Sequence, residues 1–118
     1  MKRLPDDALV VRGGKNLASS FEKGTKVSID ENGKLRNVSV NSLGGLTLEE
    51  LVAPDPTTGY PGIPHKQVGV TTAGTIRAAG GEVVSSPTRT NSKHATLSGL
   101  TPEEASRLFQ PTQKNPNR

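Results

Sequence analysis

The sequence predicts a single α+β domain: a bent, mainly antiparallel sheet with three or four short helices. Three observations lead there. The chain has 118 residues, one domain's worth. Short β-branched runs alternate with short helical stretches along most of it, a pattern of mixed rather than layered α/β structure. Large apolar side chains are scarce: Leu, Ile, Val and Phe number 26, and the aromatic residues are Phe21, Tyr60 and Phe109. The core must therefore be thin and the elements short.

The elements follow in order. Leu9-Val10-Val11 is a strand that carries Arg12 to its end, where Gly13-Gly14 stops it. Residues 16–23 read as a short helix with Leu17 and Phe21 on one face, ended by Gly24. Residues 26–30 and 35–41 alternate apolar and polar, and Asn32-Gly33 between them is a hairpin signal. Thr47 followed by Glu50 is a capping box opening one or two helical turns. Residues 53–64 hold four prolines and two glycines and form a long loop.

Residues 67–70 form a strand, 72–79 a helix and 82–85 a strand, a compact βαβ-like unit. A polar, basic loop over 87–93 leads to a strand at 94–97 that closes at Gly99. The helix over 101–109 has Thr101 as its cap, Pro102 in its first position and Glu103 and Glu104 in its first turn. The domain thus spans 1–110, and 111–118 is a polar C-terminal tail, expected to be mobile.

Composition narrows the function classes. Cysteine is absent, which excludes disulfides, thiol catalysis and thiolate metal sites. Two histidines without a carboxylate cluster make no zinc site. No apolar run approaches membrane-spanning length, and the start of the chain is not a signal peptide. The expected location is the cytoplasm, the protein's own or that of a target cell reached as secretion cargo.

The net charge of +4 lies entirely in the second half. Residues 1–59 balance eight Lys/Arg against eight Asp/Glu, whereas 60–118 carry seven against three, together with both histidines. This asymmetry points to an anionic partner: nucleic acid, a nucleotide or an acidic protein.

Several residues are fitted to such chemistry. Arg12 ends a strand beside two glycines, so its fork can hold a phosphate while the backbone approaches closely. Ser39 and Asn41 project to one side of their strand, either into a cleft or toward water. His94 and Thr96 share a strand face, so imidazole and hydroxyl can serve one substrate, His94 as acid or base. Arg89 and Lys93 just before them supply cations, and His65-Lys66 ends the Pro/Gly loop as a second candidate pair.

Taken in order, Val10-Val11-Arg12-Gly13-Gly14 and Ser39-Val40-Asn41-Ser42 resemble the opening of small bacterial toxins of the ADP-ribosyltransferase-like kind. The resemblance covers about the first 45 residues. It implies NAD as substrate, with Arg12 on its phosphates and Ser39 as scaffold of the pocket. The family's Glu-x-Glu or Gln-x-Glu pattern has no counterpart, because Glu82 stands alone on its strand. The second half is similar instead to compact ribonuclease toxins, which work with a histidine, a hydroxyl and basic residues.

Three readings follow: a toxin or effector binding a phosphate-bearing substrate such as NAD; a metal-independent RNA-cleaving toxin using His94; and a non-enzymatic basic module for an acidic protein. The two toxin readings imply a neutralising partner, an antitoxin or immunity protein. The two toxin readings expect Arg12, Ser39 and His94 to share one pocket.

Overall fold

A computed structural model describes residues 2–118. Among these residues nine strands, three α-helices and one 3-10 turn form an α+β domain. Seven strands make one antiparallel sheet: β1 (Lys2–Arg3), β2 (Leu9–Gly13), β5 (Val38–Ser42), β6 (Gln67–Thr72), β7 (Glu82–Ser85), β8 (His94–Ser98) and β9 (Gln113–Lys114). Their order across the sheet is β1-β7-β8-β5-β2-β6-β9. A separate small ribbon pairs β3 (Ser28–Ile29) with β4 (Leu35–Arg36). The helices are α1 (Leu48–Val52), α2 (Ala73–Ala78) and α3 (Pro102–Leu108).

The sheet carries apolar residues on both faces, so the few large side chains are shared between two cores. One gathers Val10, Val38, Val40, Val83 and Leu97 under Phe21, Ile76, Leu100 and Phe109. The other, smaller core joins Val11 and Val68 to Leu51, Val52 and Ile63. Phe21 and Phe109 meet with ring centroids 5.6 Å apart, tilted by 46°. That contact binds α3 to the segment after β2, the segment that carries the site.

Local chemistry explains most elements. Thr47 and Thr101 each receive the N3 amide, and Glu50 and Glu104 bond back to the cap backbone, completing two capping boxes. Gly33 at φ 77° closes the ribbon: its amide bonds the Asp30 carbonyl, and the Asp30 amide bonds Lys34. This is the three-residue loop with a left-handed glycine rather than a two-residue turn. The paired segments are accordingly short, and the chain leaves the ribbon at Asn37 to enter β5.

Three expectations are corrected. Residues 18–22 form a 3-10 turn, and Phe21 is buried while Leu17 is 53% exposed, so the two do not share a face. The βαβ-like unit does not form: β6 and β7 run the same way, but β2, β5 and β8 lie between them. Four strand spacings are about 19 Å in a flat sheet. The six-residue α2, which directly continues β6, packs on β7.

Residues 111–118 do not trail away; β9 extends the sheet along β6, and Asn115 is fully buried. Its amide donates to the carbonyls of Ile63 and His65. The N-terminal residues add β1, which pairs with β7, and Leu4 enters the core.

Arg77, on α2, ties this end together. Its guanidinium bonds Asp6 and Glu82 at 2.6 Å each, and also the Val83 carbonyl. Burial opposes its charge, but the two carboxylates together outweigh that and raise its pKa.

Candidate functional site

The sheet forks at its centre. β2 and β5 pair only at Val10 with Ser42 and at Val11 with Asn41. Beyond that point β2 continues against β6, with Arg12 opposite Gly69 and Gly13 opposite Val68. β5 continues against β8, with Val40 opposite Ala95 and Ser39 opposite Thr96. A cavity of about 480 Å³ fills the fork, with Arg12, Ser39, Asn41, His65 and His94 in its wall. A second, of about 560 Å³, adjoins it and shares Arg12, Ser39 and His94. The three residues that had to meet therefore stand at the waist of a two-lobed cleft.

Arg12 is held rather than loose. Its guanidinium stacks on Phe21 at 4.3 Å and donates to Asn16 Oδ1 and to the Ser20 carbonyl. Two of its five N–H groups are used in this way. Burial pushes its pKa below the ordinary arginine value.

Asn16 organises this loop. It is fully buried at φ 54°, and its amide donates to the carbonyls of Arg12 and Gly14. Its own carbonyl accepts from Ser106 and Gln110 at the far end of the chain. Asparagine is among the few non-glycine residues that enter the left-handed region readily; its place two residues after Gly14 is the one signal the sequence offers for this role.

His94 sits in a chain of polar contacts. Nδ1 lies 2.9 Å from the Ser86 carbonyl, which can only accept, so Nδ1 carries a proton. In the neutral ring Nε2 is then the acceptor, and Ser39 Oγ lies 3.1 Å from it. Ser86 Oγ stands 3.0 Å from Nδ1 and 2.7 Å from Thr96 Oγ1. Thr96 thus lines the second lobe and reaches His94 through Ser86. The backbone carbonyl fixes the tautomer, and the free edge of the ring faces the waist hydroxyl.

His65 enters the first lobe from the end of the Pro/Gly loop. Its ring lies against Gly13, where an added Cβ would be 2.3 Å from Nδ1. The glycine pair therefore does more than turn the chain: it leaves room for the imidazole. Tyr60, Val40, Ile63 and Pro64 add apolar wall, and Lys15 and Lys23 stand with Arg12 as cations. No carboxylate lines either lobe among the described residues.

The other expected site residues lie elsewhere or are occupied. Lys93 is buried, and its ammonium donates to the Glu50 and Ala53 carbonyls, with the Tyr60 ring 5.6 Å away. It caps the end of α1, whose last carbonyls lack helical partners, and is not available to a ligand. Asn41 reaches the first lobe, but its amide is bonded to the Leu51 carbonyl and Tyr60 hydroxyl and its oxygen to Asn91. It shares a strand face with Ser39 yet is buried, because α1 and the Pro/Gly loop cover that part of the sheet.

Arg89 lies on an exposed loop outside both lobes. Lys66 lines a third cavity with Pro64, Lys114 and Arg118. Among the described residues no group of three His, Asp or Glu is placed to hold a metal ion. Nor is any helix there long and apolar enough to cross a membrane.

Comparison with protein families, with curated proteins and with solved structures finds no match to this chain.

Proposed function

We propose that the chain is a small toxin or effector whose first lobe binds a phosphate-bearing nucleotide, with NAD as the first candidate. The observation that carries this reading is the lining of the fork: Arg12, Lys15 and Lys23 with two histidines and no opposing carboxylate. An anion is the ligand such a wall stabilises. Arg12 is the phosphate clamp, prepositioned by Asn16 and Phe21 so that little side-chain freedom is lost on binding. Tyr60 and the apolar wall suit a base or nicotinamide ring, and the cavity volume lies within the range of small-molecule sites. The likeness of the first 45 residues to ADP-ribosyltransferase-like toxins supports the choice of NAD.

One observation favours a second reading, metal-independent RNA cleavage. The Ser39–His94 pair has its imidazole oriented by the Ser86 carbonyl, and His65 stands in the same lobe. Transfer of an ADP-ribosyl group develops positive charge on the sugar, which a wall without carboxylates does not stabilise. Attack on phosphorus develops negative charge, which Arg12 does stabilise. In that reading His94 exchanges the proton and Arg12 holds the phosphate oxygens.

Incubating the protein with radiolabelled NAD and, separately, with total RNA decides between them. NAD binding that is lost in Arg12→Ala supports the first reading. RNA cleavage that is lost in His94→Ala supports the second. A parent protein that is harmless in a bacterial host and acts on neither leaves a basic module for an acidic partner. A neutralising protein, if there is one, is expected to cover the mouth of the fork.

A further inference from the structure

We infer that the second lobe is a binding site for the backbone of a single-stranded nucleic acid. The inference rests on the reading of the first lobe as a nucleotide site, and gives that nucleotide a neighbour across the Arg12–Ser39–His94 waist. The two lobes share those three residues in their walls, so ligands in both would face the same imidazole and guanidinium.

The second lobe's own lining sets the chemistry. Thr25, Lys26 and Asn37 are exposed, and their side chains have no hydrogen-bond or ion-pair partner among the described residues. Thr88 accepts the Asn91 amide and keeps its own O–H to donate. An ammonium, an amide and hydroxyls beside Arg12, with no carboxylate, are the groups that contact phosphate and sugar oxygens. No Phe, Tyr or Trp lines this lobe, and Val27 is its one large apolar side chain. Away from the waist, where His94 and Arg12 stand, bases therefore find no ring to stack on, and a protein segment finds little apolar surface. A repeating phosphate backbone, read without regard to sequence, is what remains. The position of Asn37 reinforces the point. It stands at φ 64° where the chain leaves the ribbon for β5, an uncommon conformation that sets its amide at the rim of the lobe.

The test uses fluorescence anisotropy with a labelled thymidine oligomer of about a dozen nucleotides and a 2′-O-methyl uridine oligomer of the same length, neither of them cleavable at a 2′-hydroxyl. NAD binding is measured in parallel by calorimetry. Both strands are expected to bind alike. With Arg12 and Lys26 each neutralising one phosphate, the slope of log affinity against log salt should be about −1.4. Lys26→Ala combined with Asn37→Gly should weaken strand binding about tenfold and flatten the slope by roughly half. Glycine suits the backbone at position 37, so the melting temperature and NAD affinity should stay at parental values.

NAD binding without strand binding, strand binding indifferent to the double variant, or equal displacement by a poly-glutamate peptide would each overturn the inference. Strand binding that depends on Lys26 and Asn37 in a protein that ignores NAD would uphold the second lobe while removing the first-lobe reading.

Discussion

Gly13 shows how a single residue shapes the fork. A methyl group there would meet His65 Nδ1 at 2.3 Å and Ile63 Cγ2 at 2.6 Å. Gly13→Ala must therefore push the histidine aside. His65 is exposed and can move, whereas Ile63 is packed in the smaller core. The expected result is a loss of about 1–3 kcal/mol in stability, measured by denaturant unfolding, with a larger fractional loss of nucleotide affinity. A variant that binds as the parent does would show that His65 is not part of the ligand site.

Lys93 is the opposite case, a cation spent on the protein. Lys93→Ala leaves the carbonyls of Glu50 and Ala53 without their donor and should cost about 1–3 kcal/mol. It should leave the salt dependence of ligand binding unchanged, as read by titration at several salt concentrations. At His94, replacement by Ala removes the acceptor of the Ser39 hydroxyl. Under the proposed RNA-cleaving reading it should abolish turnover while nearly sparing binding, because a proton-transfer group acts on the transition state. Comparing single-turnover rates with ligand affinity separates the two effects.

At the scale of elements, α3 is the test piece. Its sequence announces it fully: Thr101 caps, Pro102 starts and Glu104 closes the box. What its amino acids do not say is where it docks. Phe109 is completely buried against Phe21, under the guanidinium of Arg12. Phe109→Ala should cost about 3–5 kcal/mol in thermal or denaturant unfolding, a large share of a small domain's stability. It should also loosen Arg12, because the ring beneath the guanidinium loses its support.

The capping boxes predict a pH dependence as well. Glu104 is held below the ordinary value of 4.5, first by the Thr101 amide and despite some desolvation. Glu50 is lowered in the same way by the Thr47 amide. A carboxylate with a depressed folded pKa contributes stability above its unfolded value, and that stability is lost as pH falls through the folded one. Unfolding midpoints should therefore decline below about pH 4.5. Glu50→Gln with Glu104→Gln should flatten that decline, as followed by circular dichroism across pH.

For the whole molecule, the C-terminal end of the chain closes the site. Gln110 bonds the carbonyls of Lys15 and Asn16, and Asn115 bonds those of Ile63 and His65. Both walls of the first lobe are thus tied to the last nine residues. Asn115→Ala should destabilise by about 1–3 kcal/mol and release the segment bearing His65. Its signature is faster proteolysis around residues 61–66 than in the parent. Unchanged cleavage there would show that the loop holds itself.

Local chemistry in the sequence determined the α+β class, the approximate places of most strands though not their ends, the two capped helices and the candidate triad of Arg12, Ser39 and His94. Such features rest on interactions within a few residues: alternation, caps, and glycines that free the backbone. Tertiary structure decided what depends on partners far along the chain. It opened the fork by pairing β2 with β6 and β5 with β8, contacts between segments more than fifty residues apart. It turned Lys93 inward, because the carbonyls at the end of α1 lie within its reach, and left Arg89 in solvent. It also recruited the polar last residues as a strand, because the outer edge of β6 had backbone groups to satisfy. Polarity marked those residues for the surface, but an amide with four hydrogen-bonding positions is as stable inside the fold once carbonyls arrive to meet it.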